Sequence, residues 1–482
     1  MMRRGERSLK KAFGALVLTI LLLGGTAGSA AVPGERGQER EGGGDLSKTR
    51  YPEAVEQYNR GVLFQQAGEL DKARQAYERA LELYPSFEPA AQNLSIIYVQ
   101  QGQYDKAIAL LEEVKTWSPR SPFTYVILGK AYAGKGLKDE AIRHFLKAVE
   151  LSPNEASYYG ELGLLYADQE KVEQAIEAYR RAADLDPKDT VARYNLSALY
   201  LQEERYDEAI ASLEEAIKQR PDQGMLYNNL GLAYQQKRRD EEAMRAFQKA
   251  IELSPGSYLA YVNLGSLYLG KGLPREAIPV LLKALELNPS GPGIHATLAM
   301  AYVIGGKDQE AIPYFEEARR RDPKDFITLF NWGNLEANMG RHTDALARYE
   351  KAIEIKPDFY EAYYNSVIVY RNMGRFQEAK ALLEKLETLK PQRYEGKITF
   401  VGSEPPPEGA NLDEAIELQK RLVKLAPDDD RELALLANLY YRKKNYDLAI
   451  ETLKKAMAIN PQKTYQELLQ LYEERGRPSG QR

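Results

Sequence analysis

From about residue 54 to residue 475, large apolar, small and polar side chains return in one fixed order. The stretch Gly224–Pro255 shows it. Tyr227, Leu230, Gly231 and Tyr234 stand three and four apart, which is one stripe of a helix. A polar break, Lys237-Arg238-Arg239-Asp240, interrupts the stripe. Ala243, Phe247, Ala250 and Ile251 then form a second stripe, and Ser254-Pro255 ends it. Proline cannot continue a helix and disfavours helix at the residue before it. The pattern predicts two antiparallel helices joined by a short turn.

The order has a strict period. From Pro85, prolines recur every 34 residues through Pro119, Pro153, Pro187 and onward to Pro391. The next step is 36, to Pro427, and then 34 again, to Pro461. An alanine stands twelve residues before each, from Ala73 and Ala107 to Ala415 and Ala449. A fixed period of this length is the mark of a stacked solenoid. Gly231 and Ala243 let two backbones approach, and Tyr234 and Phe247 fill the space beside them. Nine of the 33 tyrosines stand thirteen residues after a proline, Tyr98 and Tyr234 among them. There a ring packs inward while its hydroxyl reaches a partner or water.

Tyr227-x2-Leu230-Gly231-x2-Tyr234, followed by Ala243-x3-Phe247, Ala250 and Pro255, resembles the tetratricopeptide repeat (TPR) family. The usual Trp at the start of that motif is mostly Tyr or another residue here. The resemblance covers residues 54–475. It implies an all-α fold, a TPR helical-hairpin solenoid forming a right-handed superhelix. First helices then line a concave groove that takes peptides or protein partners.

In this register residues 54–393 hold ten consecutive 34-residue units and 394–429 a degenerate one. Gly396, Gly402 and Pro405-Pro406-Pro407 forbid its first helix, whereas its second, from about Leu412 to Leu425, survives with Ala415. The loop over 393–410 reads either as a tolerated insertion or as a hinge or partner-binding loop. Residues 430–463 form a further unit, 464–475 a capping helix and 476–482 a disordered tail. Trp332 takes the place of the usual Leu, and Glu336 that of the usual Tyr.

Residues 1–31 begin basic, run through a dozen apolar residues and end small, as a secretory signal does. Cleavage after Ala30 or Ala31 suits the small-x-small rule. The charge-free run from Ala12 to Gly34 leaves an uncleaved membrane anchor as the alternative. Residues 32–50, Gly-rich and charged, read as a disordered linker. The expected location is exported, in the periplasm or cell envelope. No membrane span is expected in the mature chain if the signal is removed.

Composition narrows the chemistry. There are no cysteines, so thiol catalysis, disulfides and thiolate metal sites are out. The three histidines, His144, His295 and His342, share no ligand spacing. No cofactor and no metal are expected. Net charge is −4, without a basic stripe, which argues against nucleic acid. No stretch outside the repeats could house a catalytic domain, and no phosphate loop or nucleophile motif occurs. The chain therefore reads as no enzyme, with no small-molecule substrate.

Helical geometry marks a partner surface. Residues four, eight, eleven and fifteen after each proline point away from the packed stripe, at about 100° per residue. The eighth is often Asn: Asn93, Asn195, Asn229, Asn263, Asn331 and Asn365, with Asn59 in the first unit. Asn is a mediocre helix former, and its amide both donates and accepts, which suits peptide main chain. Stacking would make these residues a ladder, interrupted at Ile127, Glu161 and Thr297. The ladder is similar to that in the repeat region of O-linked N-acetylglucosamine transferase, where such asparagines hold peptide backbone. Tyr194, Phe330 and Tyr364, with Val191 and Met225, are expected to supply side-chain pockets. Tyr58, Gln92, Asn93 and Val126 stand where carboxylate-clamping members carry Lys and Arg, so chaperone tails are not the expected guest. The reading is a non-catalytic scaffold holding a partner protein or extended peptide. Its alternatives are an assembly subunit of a secretion, pilus or polysaccharide-export machine, or a substrate-presenting partner of a separate transferase.

Overall fold

A computed structural model describes residues 46–389 and 405–476, and every element among the described residues is a helix. They pair as α1 (Leu46–Gln66) with α2 (Leu70–Leu83), α3 (Glu88–Gln100) with α4 (Tyr104–Trp117), and α5 (Pro122–Gly134) with α6 (Lys138–Leu151). Then come α7 (Ala156–Asp168) with α8 (Val172–Leu185), α9 (Thr190–Gln202) with α10 (Tyr206–Gln219), and α11 (Gly224–Gln236) with α12 (Asp240–Leu253). Next are α13 (Tyr258–Gly270) with α14 (Pro274–Leu287), α15 (Ile294–Ile304) with α16 (Asp308–Arg321), and α17 (Phe326–Asn338) with α18 (His342–Ile355). The chain closes on α19 (Tyr360–Asn372) with α20 (Phe376–Leu386), the single α21 (Leu412–Leu425), α22 (Asp430–Arg442) with α23 (Tyr446–Ile459), and α24 (Lys463–Gly476). Two compact units divide the chain after Ala260, within α13.

The small residues do what their spacing implies. All twelve recurrent alanines, Ala73 to Ala449, are 0 % exposed. A Cβ on Gly231 would lie 2.6 Å from Cδ1 of Phe247, so the phenyl ring occupies the space where a side chain would stand. Gly129 meets Phe145, Gly163 meets Tyr179 and Gly333 meets Tyr349 in the same way.

Each turn hinges on one residue seventeen after the proline, held in the left-handed region. Gly does this at Gly68, Gly102, Gly136, Gly272, Gly306, Gly340 and Gly374, with φ from 68° to 75° or at 79°. Glu170, Glu204, Arg238 and Lys444 adopt it with φ from 58° to 62°, at a steric cost Gly avoids. The backbone closes as a Schellman motif: in α11 the Arg239 N–H donates to the Tyr234 carbonyl (2.9 Å) and the Arg238 N–H to the Gln235 carbonyl (3.0 Å).

The tyrosines thirteen after a proline find partners. Tyr98 donates to Glu78 (3.1 Å) and Tyr234 to Glu214 (2.9 Å). Arginines cover the rings of Tyr200, Tyr234 and Tyr370 at 4.6, 4.5 and 4.9 Å. His144 stacks on Tyr132, ring centres 5.0 Å apart. Burial and the nearby Lys115 and Arg143 push its pKa below the usual value, against the opposing pull of Glu112 and Glu140. His295 is lowered for the same first reason. A depressed histidine pKa favours the neutral folded form, so its stability is complete above the unfolded pKa and lost as pH falls. The melting temperature is expected to drop between about pH 7.5 and 5.5, and His144→Gln to flatten that drop. An unchanged slope in the variant would reject this account.

The ends and the break differ from the interior. Arg60 is exposed where most other repeats carry a packed Leu, and Leu63, at a position buried in later repeats, is 64 % exposed. α1 begins at Leu46, so helix replaces the last residues of the linker read over 32–50. The signal (1–31), the rest of that linker, loop residues 390–404 and all but the first residue of the tail lie outside the described residues. Arg442 donates to the carbonyls of Pro406 (2.7 Å) and Pro407 (3.3 Å), tying the described end of the loop to α22. There the Arg371 guanidinium, 0 % exposed, reaches Glu432 at 2.9 Å and Gln419 at 2.7 Å. A buried ion pair thus joins α19 to α21 and α22. α24 buries Tyr465 and Tyr472 and leaves most of its other side chains exposed.

Candidate interaction surface

Within each unit, successive first helices touch: α3 with α5 and α9 with α11 in the first, α15 with α17 and α17 with α19 in the second. Successive second helices do no more than graze one another. Closer packing on one side places the first helices on the inner side of the curve.

The asparagines eight after the proline differ in how open they are. Asn59 is exposed, Asn93, Asn195 and Asn263 are half-buried, and Asn229, Asn331 and Asn365 are buried. The array itself uses several. The Asn93 amide donates to the hydroxyls of Tyr77 (3.3 Å) and Tyr58 (3.5 Å). Burial pushes the Tyr77 hydroxyl up to about 12, with the Asn93 bond opposing. Asn195 meets the Tyr179 hydroxyl, whereas Asn229 accepts from the Asn228 amide (3.5 Å) and its own buried amide nitrogen has no hydrogen-bond partner. Asn365 donates to the Asn334 side-chain oxygen (2.7 Å), which also accepts from Tyr349 (2.7 Å).

A rule emerges that sequence reading missed. Where the core residue facing the small position is Tyr, as at Tyr77, Tyr179 and Tyr349, its hydroxyl reaches the next unit's Asn sixteen residues on. Asn331 follows Phe315 and finds no such hydroxyl. The Oδ1 atoms of Asn331 and Asn365 are buried without a hydrogen-bond partner. The signal was present as a Tyr–Asn spacing of sixteen. Asn334, eleven after Pro323, was missed because no other unit places Asn there except at Asn438.

The expected aromatic pockets are placed otherwise. Tyr194, Phe330 and Tyr364 are 8, 0 and 6 % exposed and belong to the packed core. They sit seven after the proline, one residue before the Asn, and turn toward neighbouring helices. Val191 and Met225, four after the proline, are open instead, at 49 and 42 %. Glu161, which interrupts the ladder, pairs with Lys130 of the preceding unit at 3.1 Å. Among the described residues no cluster of His, Asp and Glu could hold a metal, and no helix is long and apolar enough to cross a membrane.

Family comparison agrees with this architecture. Tetratricopeptide repeat profiles match residues 128–190, 194–258 and 262–326, then 64–123 and 337–396, and 431–463. The chain belongs to the tetratricopeptide repeat family. Among solved structures, this TPR chain is similar to MamA, with 32 % identity over 34 % of this chain and 95 % of MamA (TM-score 0.32). It is similar to YrrB, described as a TPR protein with an unusual peptide-binding site, at 25 % identity over 39 % of this chain and 98 % of YrrB (TM-score 0.34). MamA of Desulfovibrio magneticus RS-1 matches at 24 % identity over 35 % of this chain and 96 % of its own (TM-score 0.33). No curated protein matches. TPR units of this kind build protein-interaction scaffolds, and this TPR array is one.

Proposed function

We propose that the chain is a non-catalytic scaffold that holds an extended segment of a partner protein along the inner, first-helix face. One observation carries this reading. A row of asparagine amides stands on that face of the first compact unit, with Asn59 exposed and Asn93 and Asn195 half-buried. An amide both donates and accepts, which suits the main chain of an extended peptide of any sequence. The basic, apolar, then small N-terminal pattern supports export to the cell envelope.

The test places a photoreactive residue at Met225, which is exposed, and identifies what crosslinks in cells. Changing Asn59, Asn93 and Asn195 together to Ala is expected to reduce capture about tenfold while the helical signal is kept and the melting temperature falls modestly, because the buried Tyr179 hydroxyl loses its Asn195 partner. Tyr77 retains a bond to Gln65 (2.8 Å) in that variant, so its hydroxyl is not stranded. Undiminished capture would remove the asparagines from the binding surface.

A further inference from the structure

The first unit says what kind of segment its inner face takes, an inference that rests on the reading just given. In α1, α3, α5, α7, α9 and α11, the inner positions four, eight, eleven and fifteen after the proline (Tyr51 holds the proline's place in the first repeat) number twenty-four. Three of them are charged: Lys130, Glu161 and Asp168. The chain as a whole is 28 % charged, which would put about seven there. Even these three are neutralised, Lys130 by Glu161 at 3.1 Å and Asp168 by Lys138 at 2.5 Å. The remaining inner positions carry amide, small or apolar side chains. Depletion of charge on a solvent-exposed surface of a protein this rich in Lys and Glu is what a desolvated interface core shows.

The same face exposes large apolar side chains in register. Phe123, Val191 and Met225 each stand four after the proline and are 36, 49 and 42 % exposed. The position is one row along the inner side, with Val191 and Met225 on consecutive first helices and Phe123 two helices earlier. Packed helices lie about 8–10 Å apart. An extended chain advances about 3.3 Å per residue, so a segment crossing the helices meets a new one roughly every third residue.

We infer that the inner face of the first compact unit takes an extended, uncharged segment whose apolar side chains fall in a register of about three residues and seat on Phe123, Val191 and Met225, with the step over Ser157 left without an apolar seat. A strongly acidic or basic tail is the wrong chemistry. Its charges would lose water against a face that offers no free counter-charge. Main-chain groups of the guest pair with the adjacent asparagines, and its side chains supply selectivity.

The experiment titrates fluorescent twelve-residue peptides against the full chain. One is uncharged, with Leu at every third position among Ser and Gln. Two others replace each Leu by Glu or by Lys, and a fourth keeps the composition but sets Leu at every second position. The first peptide is expected to bind about tenfold tighter than each of the others. Its affinity should change less than about twofold between 50 and 500 mM salt, because no ion pair is screened. Val191→Glu with Met225→Glu, both at exposed sites, is expected to weaken it about tenfold without altering the melting curve. Tighter binding of the Glu or Lys peptide, still lost in the Asn59, Asn93, Asn195 triple variant, overturns this inference and leaves the scaffold reading standing. Binding of every peptide that is indifferent to the triple variant, or no binding at all, overturns both.

Discussion

Replacing Arg371 with Leu is expected to cost about 3–5 kcal/mol of stability in the second unit, the largest loss from any single side chain discussed. Arg371 is 0 % exposed and Glu432 2 %. The guanidinium donates to Glu432 Oε2 (2.9 Å) and Gln419 Oε1 (2.7 Å). Gln419 in turn donates to the same carboxylate (2.6 Å) and to the Glu432 backbone carbonyl (2.8 Å). Tyr364 donates to the other carboxylate oxygen at 3.4 Å. Without the arginine, a carboxylate stays buried without its ion-pair partner, and that penalty dominates. Adding Glu432→Gln removes the orphaned charge, so the double variant is expected to recover most of the loss. Chemical denaturation followed by Trp332 fluorescence, with Trp117→Phe as background, reads the transition near the site. Additive losses in the double variant would show that the two side chains do not act as a pair.

Gly231→Val is expected to destabilise the first unit by about 1–3 kcal/mol or more through overpacking. The Cβ alone would lie 2.6 Å from the Phe247 ring, and two further methyls have nowhere to go. The gain from removing helical Gly offsets only about 0.5–1 kcal/mol. The chain itself supplies the remedy. Gly61, Gly129, Gly163, Gly231 and Gly333 face Tyr or Phe, whereas Ser95, Ser197 and Val367 hold the same place opposite Leu111, Leu213 and Leu383. Gly265 with Leu281 and Ala299 with Phe315 are the intermediate cases. Phe247→Leu added to Gly231→Val reproduces the Val367–Leu383 pairing and is expected to restore most of the stability. Thermal melts of the two single variants and the double variant check it. A double variant less stable than Gly231→Val alone would mean that volume at this contact is not the controlling quantity.

Much of the inner face was legible from helical periodicity. The asparagine row, its interruption at Glu161 and the open Val191 and Met225 follow from counting residues after each proline. What could not be counted was which amides the array consumes. Asn93, Asn195 and Asn365 are engaged because Tyr77, Tyr179 and Tyr349 of the preceding units carry hydroxyls to them. Tyr194, Phe330 and Tyr364 were read as pocket walls because they neighbour the row. A residue one position away is turned by about 100°, and that is enough to move a ring from the inner face into the contact between helices.

The residues alone determined the helical pairs, the buried alanines and the glycine–ring contacts. Each depends on a 3.6-residue period and on side-chain volume, both of which are local or repeat at a fixed distance. Only the tertiary structure decided that Arg371, Gln419 and Glu432 meet. They lie 48 and 61 residues from Arg371, across the degenerate repeat where the period fails. A period predicts contacts only while it holds. Where it breaks, three dimensions determine which buried charge finds its partner.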